Sequence, residues 1–215
     1  MKTSRMLNVP LFYQPKFSPF CGPACVKMVL AFHGHKTTLN SIASEMKVCA
    51  SGIDMLSIGN FFLRRDFNVT IEMWYENFPN RFIGLTEGIQ EEFLRWCRRG
   101  DTLTNQKDRI YRKKIQLFIE SDGVLIPKPV SFKKLRAAIR KGCPPILNLD
   151  VSTLYKSRQR TQIGHYIIPV RITDNEITIN DPAWKDYGGI KTYPTEIILH
   201  ACYNWDAGAI FIEPK

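Results

Sequence analysis

The chain has no hydrophobic run approaching the length of a membrane span, no low-complexity tract and no internal repeat. Its first ten residues lack the apolar middle of a secretory signal peptide, which predicts a cytoplasmic protein. The rest of the composition is ordinary for a folded domain, with 215 residues of which 44% are hydrophobic and 23% charged. This length suits one domain of generous size with a real core.

Cysteine pairs with metal-ligand spacing are also scarce. Of the six cysteines, only Cys21 and Cys25 lie close together, and no second pair or His-x3-His motif follows them. We therefore expect neither a metal nor another cofactor. Most cysteines are expected to be small core residues and not disulfide partners, as is usual in a cytosolic chain.

Acidic residues are outnumbered, since 30 Lys and Arg against 20 Asp and Glu give a net charge of +10. The basic residues cluster at 95–99, 109–114 and 156–160. A solvated basic surface explains this charge, and so does an acidic partner or substrate. No cluster matches a nucleic-acid-binding module, so the sequence does not favour nucleic acid as a partner.

The order of hydrophobic patterns predicts an α+β fold, with helices first and an antiparallel sheet second. The predicted helices begin near Cys21, Thr38, Ile53, Ser131 and Pro194, and the predicted strands cover 9–13, 69–75, 124–126, 144–149, 164–170, 176–180 and 207–212. Residues 78–128 differ in character and carry two helical patterns. We interpret them as a helical insertion or lid within a single domain that spans 1–215.

The segment around Cys21 carries the clearest functional signal. Gly22 and Pro23 are typical of a helix start, and apolar residues recur at helical spacing after them. A thiol at a helix N-terminus faces unpaired N–H groups and the positive end of the helix dipole, and both favour the thiolate. Gln14, a side-chain amide donor, lies a short loop upstream. This layout predicts an acyl-transfer site that still needs a base.

Cys25 is the alternative nucleophile, one helical turn beyond Cys21 on the same face. It lies in the apolar stripe, where burial would raise the pKa of its thiol. We therefore assign the nucleophile to Cys21 and a core position to Cys25.

The base must be one of the four histidines, His33, His35, His165 and His200. The first two end the helix that starts at Cys21, about three turns away, and cannot reach the thiol. His200 lies on a predicted surface helix. His165 opens a strand after a glycine in an apolar setting and is the candidate, although a core histidine would fit the same pattern.

Asp181 is the candidate to orient the His165 ring, since it ends the partner strand of the predicted hairpin. With a three-residue loop at 173–175, Ile167 pairs with Asp181, and Asp181 then shares a face with His165. A loop with an even number of residues puts the two on opposite faces unless a bulge intervenes. Asp181 also precedes a proline, which is typical of a turn.

Taken together, these motifs resemble the C39-type papain-like cysteine peptidases. The resemblance rests on Gln14, Cys21-Gly22-Pro23-Ala24-Cys25, Gly164-His165-Tyr166 and Asn180-Asp181-Pro182, and covers roughly 9–77 and 131 to the C-terminus. It implies a papain-like fold with N-terminal helices packed on a C-terminal antiparallel sheet. It also implies Cys21 as nucleophile, His165 as base, Asp181 as orienting carboxylate and Gln14 in the oxyanion hole.

Three features depart from the family pattern. Phe20 occupies the place before the cysteine where an acidic residue is usual, and the spacing from Gln14 to Cys21 is about one residue longer than expected. Residues 78–128 have no counterpart in the minimal domain. The first two features affect the geometry of the oxyanion hole, and the third affects the choice of substrate.

The predicted function is a cysteine peptidase that hydrolyses a peptide or amide bond through an acyl-enzyme. The predicted substrate is a peptide or protein segment, acidic if the basic clusters border the cleft. Cleavage of a double-glycine leader is one option that the resemblance offers. An acyltransferase or amide-forming enzyme with the same triad, or an inactive peptide- or nucleic-acid-binding module, are the alternatives.

Overall fold

The computed structural model describes residues 6–75, 78–85, 87–99, 106–155 and 163–215. The helices are α1 (Cys21–Phe32), α2 (Leu39–Glu45), α3 (Met55–Leu63), α4 (Ile89–Arg98), α5 (Gln106–Glu120), α6 (Phe132–Lys141), α7 (Val151–Leu154) and α8 (Thr195–Tyr203). The strands are β1 (Phe67–Met73), β2 (Val124–Pro127), β3 (Ile146–Asp150), β4 (Gly164–Ile172), β5 (Glu176–Asp181), β6 (Gly189–Pro194) and β7 (Ala209–Pro214). The predicted α+β class is confirmed.

One seven-stranded sheet runs through the described part of the chain, in the order β2-β1-β7-β3-β4-β5-β6. Neighbouring strands are antiparallel except β1 and β2, which are parallel. The C-terminal third therefore supplies five adjacent strands, and β1 and β2 extend the sheet at the β7 edge. The sheet is parallel only at that edge, and the strands of the C-terminal third form the antiparallel sheet that the sequence predicted.

Helix α1 is largely buried and packs against β4. Ala24, Cys25 and Met28 are fully buried on it, as its apolar repeat predicts. The helix ends at Phe32 because Gly34 adopts a positive φ of 81°, which glycine tolerates without steric cost. This packing sets the N-terminal residue of α1, Cys21, beside the first residues of β4, where His165 lies.

Side-chain caps start four of the other helices, α2, α3, α6 and α7. Thr38 accepts a hydrogen bond from the Ser41 N–H at 3.1 Å, and Ser131 accepts one from the Lys134 N–H at 3.2 Å, so both predicted caps are confirmed. Asp54 caps α3 in the same way. These caps fix where the chain turns into each helix.

Residues 78–128 share the hydrophobic core of the rest of the chain. Phe93 and Trp96 of α4 and Ile115 and Phe118 of α5 are buried in the same cluster as the side chains of α1 and α3. Strand β2 adds to the sheet beside β1. The two predicted helices are therefore present and packed, while their status as an insertion or lid stays a prediction.

Two sequence predictions about strands were wrong. Residues 9–13 form an extended segment and not a strand, because the Val9 carbonyl accepts its hydrogen bond from the Asn180 side chain at 2.8 Å and not from a neighbouring backbone. Strand β6 was missed. Its residues alternate between exposed and half-buried positions at the sheet edge, so they carry little hydrophobic signal.

Candidate active site

The β4–β5 hairpin decides whether His165 and Asp181 can meet. The Thr173 N–H donates to the Glu176 carbonyl at 2.9 Å, which closes a tight turn with Asp174 and Asn175 at its centre. An even turn of this kind would put His165 and Asp181 on opposite faces, but a register shift between Pro169 and Arg171 adds one residue to β4. The predicted alternative of a bulge is therefore what the hairpin adopts.

His165 lies between the other two members of the predicted triad. Its Nε2 atom is 2.8 Å from Asp181 Oδ1, and the ring lies close enough to the Cys21 thiol for each of these two groups to shift the pKa of the other. His165 is 6% exposed and Asp181 is fully buried, whereas Cys21 is half-buried and lines a cleft. The structure thus brings together three residues from the start of α1, the start of β4 and the end of β5.

The electrostatics favour proton transfer from the thiol to the imidazole. Burial raises the pKa of the Cys21 thiol, but the hydrogen bond and positive charge of His165, with backbone bonds at Tyr166 and Gly22, bring the pKa below its ordinary value. Burial lowers the pKa of His165, but hydrogen bonds to Asp181 and Cys21 and their charges outweigh it and raise the pKa to about 9. The pair is therefore suited to exist as thiolate and imidazolium.

Asp181 is held by groups that the sequence analysis did not name. Its Oδ1 atom accepts from the Ala183 N–H at 3.0 Å, and its Oδ2 atom accepts from the Tyr155 hydroxyl at 2.9 Å. The ammonium of Lys191 is 3.7 Å from Oδ2. Burial raises the pKa of Asp181, but the bond and charge of His165 and these hydrogen bonds bring it below its ordinary value, so the carboxyl stays ionised. No sequence motif pointed to Tyr155.

Gln14 is buried beside the same cleft, and the loop after it contains a tight turn. The Gln14 N–H donates to the Pro182 carbonyl at 2.7 Å, which ties the loop to the end of β5. The side-chain Nε2 donates to the Ser18 carbonyl at 2.9 Å, while Oε1 has no partner. A turn from Pro15 to Ser18, closed by a 3.1 Å backbone bond, shortens the path to Cys21.

Phe20, the unusual residue before the cysteine, occupies the N-cap position of α1. Its side chain makes no capping hydrogen bond, and its carbonyl accepts from the Ala24 N–H at 2.9 Å. An aromatic side chain cannot satisfy the first N–H groups of the helix as an acidic one would. The substitution therefore leaves those groups available to another acceptor.

The remaining histidines and cysteines lie where they cannot form this triad. His33 and His35 are at the far end of α1, and His200 is exposed on α8. Cys25 is fully buried, and burial together with the charges of Cys21 and Asp181 raises the pKa of its thiol well above the ordinary value.

All six cysteines are free, and four of them, Cys21, Cys25, Cys97 and Cys202, lie in the hydrophobic core or pack against it. Only Cys25 and Cys202 are buried, while Cys21, Cys97 and Cys143 are half-buried and Cys49 is exposed in the cleft. Within the described ranges, no group of three His, Cys, Asp or Glu side chains could hold a metal ion.

Two of the three basic clusters are partly neutralised on the surface. Arg95 pairs with Glu92 at 2.7 Å, Arg98 pairs with Glu120 at 3.2 Å, and Lys114 pairs with Asp54 at 2.5 Å where it lines the cleft. The cluster at 156–160 lies outside the described residues.

The fold and this constellation define a class, that of papain-like cysteine peptidases. The model of the Peptidase_C39 like family matches residues 6–207. The chain therefore belongs to the Peptidase_C39 like family, as the sequence motifs predicted. No curated protein matches the chain.

Two solved structures share the fold at low sequence identity. One is a double glycine motif protease from an AMS/PCAT transporter in complex with the leader peptide, at 14% identity and a TM-score of 0.53, with 100% of both chains covered. The other is the peptidase domain of Streptococcus ComA, a bi-functional ABC transporter involved in a quorum sensing pathway. It is 13% identical with a TM-score of 0.54, covering 97% of this chain and 100% of that one.

The described helices are also informative about membranes. None of them is both long enough and apolar enough to cross a bilayer.

Proposed function

We propose that the chain is a cysteine peptidase in which Cys21 is the nucleophile, His165 the general base and acid, and Asp181 the residue that orients the imidazole. The observation that supports this most strongly is the position of His165, with Nε2 2.8 Å from Asp181 Oδ1 and the ring beside the Cys21 thiol, whose pKa it lowers. A nucleophile, a base and an orienting group in contact are the signature of nucleophilic catalysis.

The reaction follows from these contacts. His165 takes the proton of Cys21, and the thiolate attacks the amide carbonyl to form a C–S bond and a tetrahedral oxyanion. Collapse of that intermediate breaks the C–N bond while the imidazolium protonates the leaving amine. Water, deprotonated by His165, then attacks the thioester, and the carboxylic acid leaves Cys21.

The oxyanion would be bound by the backbone N–H of Cys21 and the side-chain amide of Gln14. The N–H groups of a first helical turn have no partner within the helix, and Cys21 is the first residue of α1. The Gln14 amide uses one of its two N–H groups on the Ser18 carbonyl, which leaves the other for the oxyanion. Removing one such donor costs about 3 kcal/mol of transition-state stabilisation in comparable sites.

The substrate would be an extended peptide, because the thiol lines an open cleft of about 1910 Å³. A protein of similar fold is described in complex with a leader peptide, which supports a peptide as the substrate class. Tyr111 and Lys114 of α5 line this cleft, so the segment at 78–128 would contribute to substrate choice. The net charge of +10 favours a peptide with acidic flanks. A cytoplasmic location remains a prediction that cell fractionation would check.

The nucleophile assignment is tested with a peptide-based acyl electrophile that labels active-site thiols. We expect labelling of the wild-type protein and its loss in Cys21→Ala. Cys49→Ala is the matched control, since Cys49 is the exposed thiol in the same cleft and should not be needed. Unchanged labelling of Cys21→Ala would reject the assignment.

A further inference from the structure

A second acidic group lies in the cleft, apart from the proposed triad. The Asp206 carboxylate is half-buried; its Oδ2 atom accepts from the Asn148 side chain at 2.8 Å and its Oδ1 atom from the Gly208 N–H at 3.0 Å. Burial raises the pKa of Asp206 to about 6, so the group is still mainly ionised at neutral pH. It forms no ion pair with any lysine or arginine that the structure describes. A half-buried, ionised carboxylate without an ion pair is stabilised when a cation binds to it.

Asn148 supplies the second observation. It lines the same cleft and is only 5% exposed, and its Oδ1 atom is buried without a hydrogen-bond partner. Leaving such an acceptor unsatisfied costs free energy that a donor from a bound ligand would recover. Its Nδ2 atom donates to Asp206, so Oδ1 is the Asn148 side-chain atom that has no partner at all.

The pocket is next to the proposed catalytic residues. Asn148 lies opposite Tyr166 in the sheet, and Tyr166 directly follows His165. The Trp205 ring lies against the other neighbour of His165, since a Cβ atom added to Gly164 would be 2.8 Å from it. Asp206 and Asn148 therefore line the same cleft as Cys21 and His165.

The walls fit a long side chain with an aliphatic stem. Met55, Met73, Trp74 and Tyr111 line the cleft around Asp206. Met55 comes so close that a Cβ atom on Gly208 would lie 2.5 Å from its sulfur and 2.8 Å from Asp206 Oδ1. Thioether and aromatic groups pack well against methylene chains, and aromatic faces also attract cations.

We propose that Asp206 and Asn148 form a subsite for a positively charged side chain, lysine or arginine, of the peptide substrate. Its charged end would bind the Asp206 carboxylate and donate to Asn148 Oδ1, while its stem packs on the methionine and aromatic walls. The substrate role rests on the proposed peptidase function. The same peptide can carry acidic residues on its flanks, which the net charge favours, and one lysine or arginine that binds in this subsite.

Cleavage profiling tests the substrate role. The wild-type protein and Asp206→Asn are given a peptide library that varies every position around the scissile bond, and products are identified by mass spectrometry. We expect enrichment of lysine and arginine at one position, and about a tenfold loss of kcat/KM for those peptides in Asp206→Asn. Asp206→Glu should keep the preference because it keeps the charge. Glu176→Gln, which removes an exposed acid at the distant hairpin turn, should change nothing.

A binding measurement separates the pocket from the peptidase function. N-acetyl-lysine amide is titrated into Cys21→Ala, and the Asn148 side-chain amide is followed by nuclear magnetic resonance. We expect a saturable shift with this probe, none with N-acetyl-norleucine amide, and none in the double variant with Asp206→Asn. Lysine-specific binding without any cleavage would keep the pocket and reject the peptidase. Equal shifts with both probes, or a library preference that survives Asp206→Asn, would overturn the subsite.

Discussion

His165 is the residue on which the proposed chemistry depends, because it interacts with both other members of the proposed triad. Its Nε2 atom is 2.8 Å from Asp181 Oδ1, and His165 and Cys21 each shift the pKa of the other. The fixed negative charge of Asp181 favours the protonated ring, and the protonated ring in turn favours the thiolate. Each group therefore changes the pKa of its neighbour in the direction that activates the nucleophile.

The pH dependence of alkylation should reveal this coupling. In a Cys49→Ala background, the rate of iodoacetamide reaction at Cys21 should rise with pH at a midpoint below the ordinary thiol value, because the pKa of Cys21 is lowered. Asp181→Asn removes the main group that raises the pKa of His165, so the imidazolium is lost and the midpoint should move to higher pH. An unshifted midpoint in Asp181→Asn would show that Asp181 does not act through the imidazole.

Tyr155 should affect the rate without affecting substrate binding. Its hydroxyl donates to Asp181 Oδ2 at 2.9 Å, so Tyr155→Phe removes one hydrogen bond to a buried charge and leaves the ring in place. We expect about a tenfold fall in kcat with little change in KM. If KM rises while kcat holds, Tyr155 contacts the substrate and does not position Asp181. Tyr187→Phe, on an exposed neighbouring ring, is the control.

At the scale of elements, the length of the β4–β5 turn and the bulge in β4 together decide whether Asp181 lies on the same face of the sheet as His165. The residues of the two-residue turn favour that turn locally. A turn with an even number of residues would put His165 and Asp181 on opposite faces, and the bulge between Pro169 and Arg171 restores them to one face. The carbonyl of Val170, the residue at the bulge, accepts from the Leu7 N–H at 2.8 Å. The N-terminal segment thus satisfies a group that the disrupted ladder leaves unpaired.

Helices α3 and α5 pack so closely at Gly59 that adding one methyl group there tests the contact. A Cβ atom on Gly59 would lie 2.6 Å from Phe118 and 3.0 Å from Ile71, both fully buried. In an exposed helix, Gly→Ala stabilises by about 1 kcal/mol, but here the overlap should reverse the sign. We expect Gly59→Ala to lower the free energy of unfolding by about 1–2 kcal/mol in urea titration. Increased stability would mean that α5 packs less tightly than described, and Phe118→Leu should relieve part of the loss.

At the scale of the whole molecule, the net charge of +10 acts on any charged substrate before contact. Its field should raise the association rate of acidic peptides, and salt should screen it. We expect kcat/KM for a peptide with acidic flanks to fall as NaCl is increased, while that of a neutral peptide changes little. Equal salt dependence for both peptides would show that the basic residues do not attract the substrate and only form a solvated surface.

Most of the helices and strands could be predicted from local patterns. Caps such as Thr38 and Ser131, and the stops at Gly34 and Gly142, act through the backbone of their own helix and need no distant partner. Strand β6 could not be predicted because its exposed and half-buried residues carry little hydrophobic signal, and its backbone is extended through pairing with β5. The segment at 9–13 was misread for the opposite reason, since its pattern suited a strand but the Val9 carbonyl accepts from the Asn180 side chain and not from a neighbouring strand.

The sequence by itself determined the family, the α+β class and the candidates Gln14, Cys21, His165 and Asp181, because each sits in a short motif with its own chemical reason. Only the tertiary structure decided that the bulge brings Asp181 onto the His165 face, that Tyr155 holds its second oxygen, and that Asp206 and Asn148 meet beside Tyr166. Those contacts join residues 16 to 58 positions apart, and such pairings depend on sheet register and packing that no local pattern encodes.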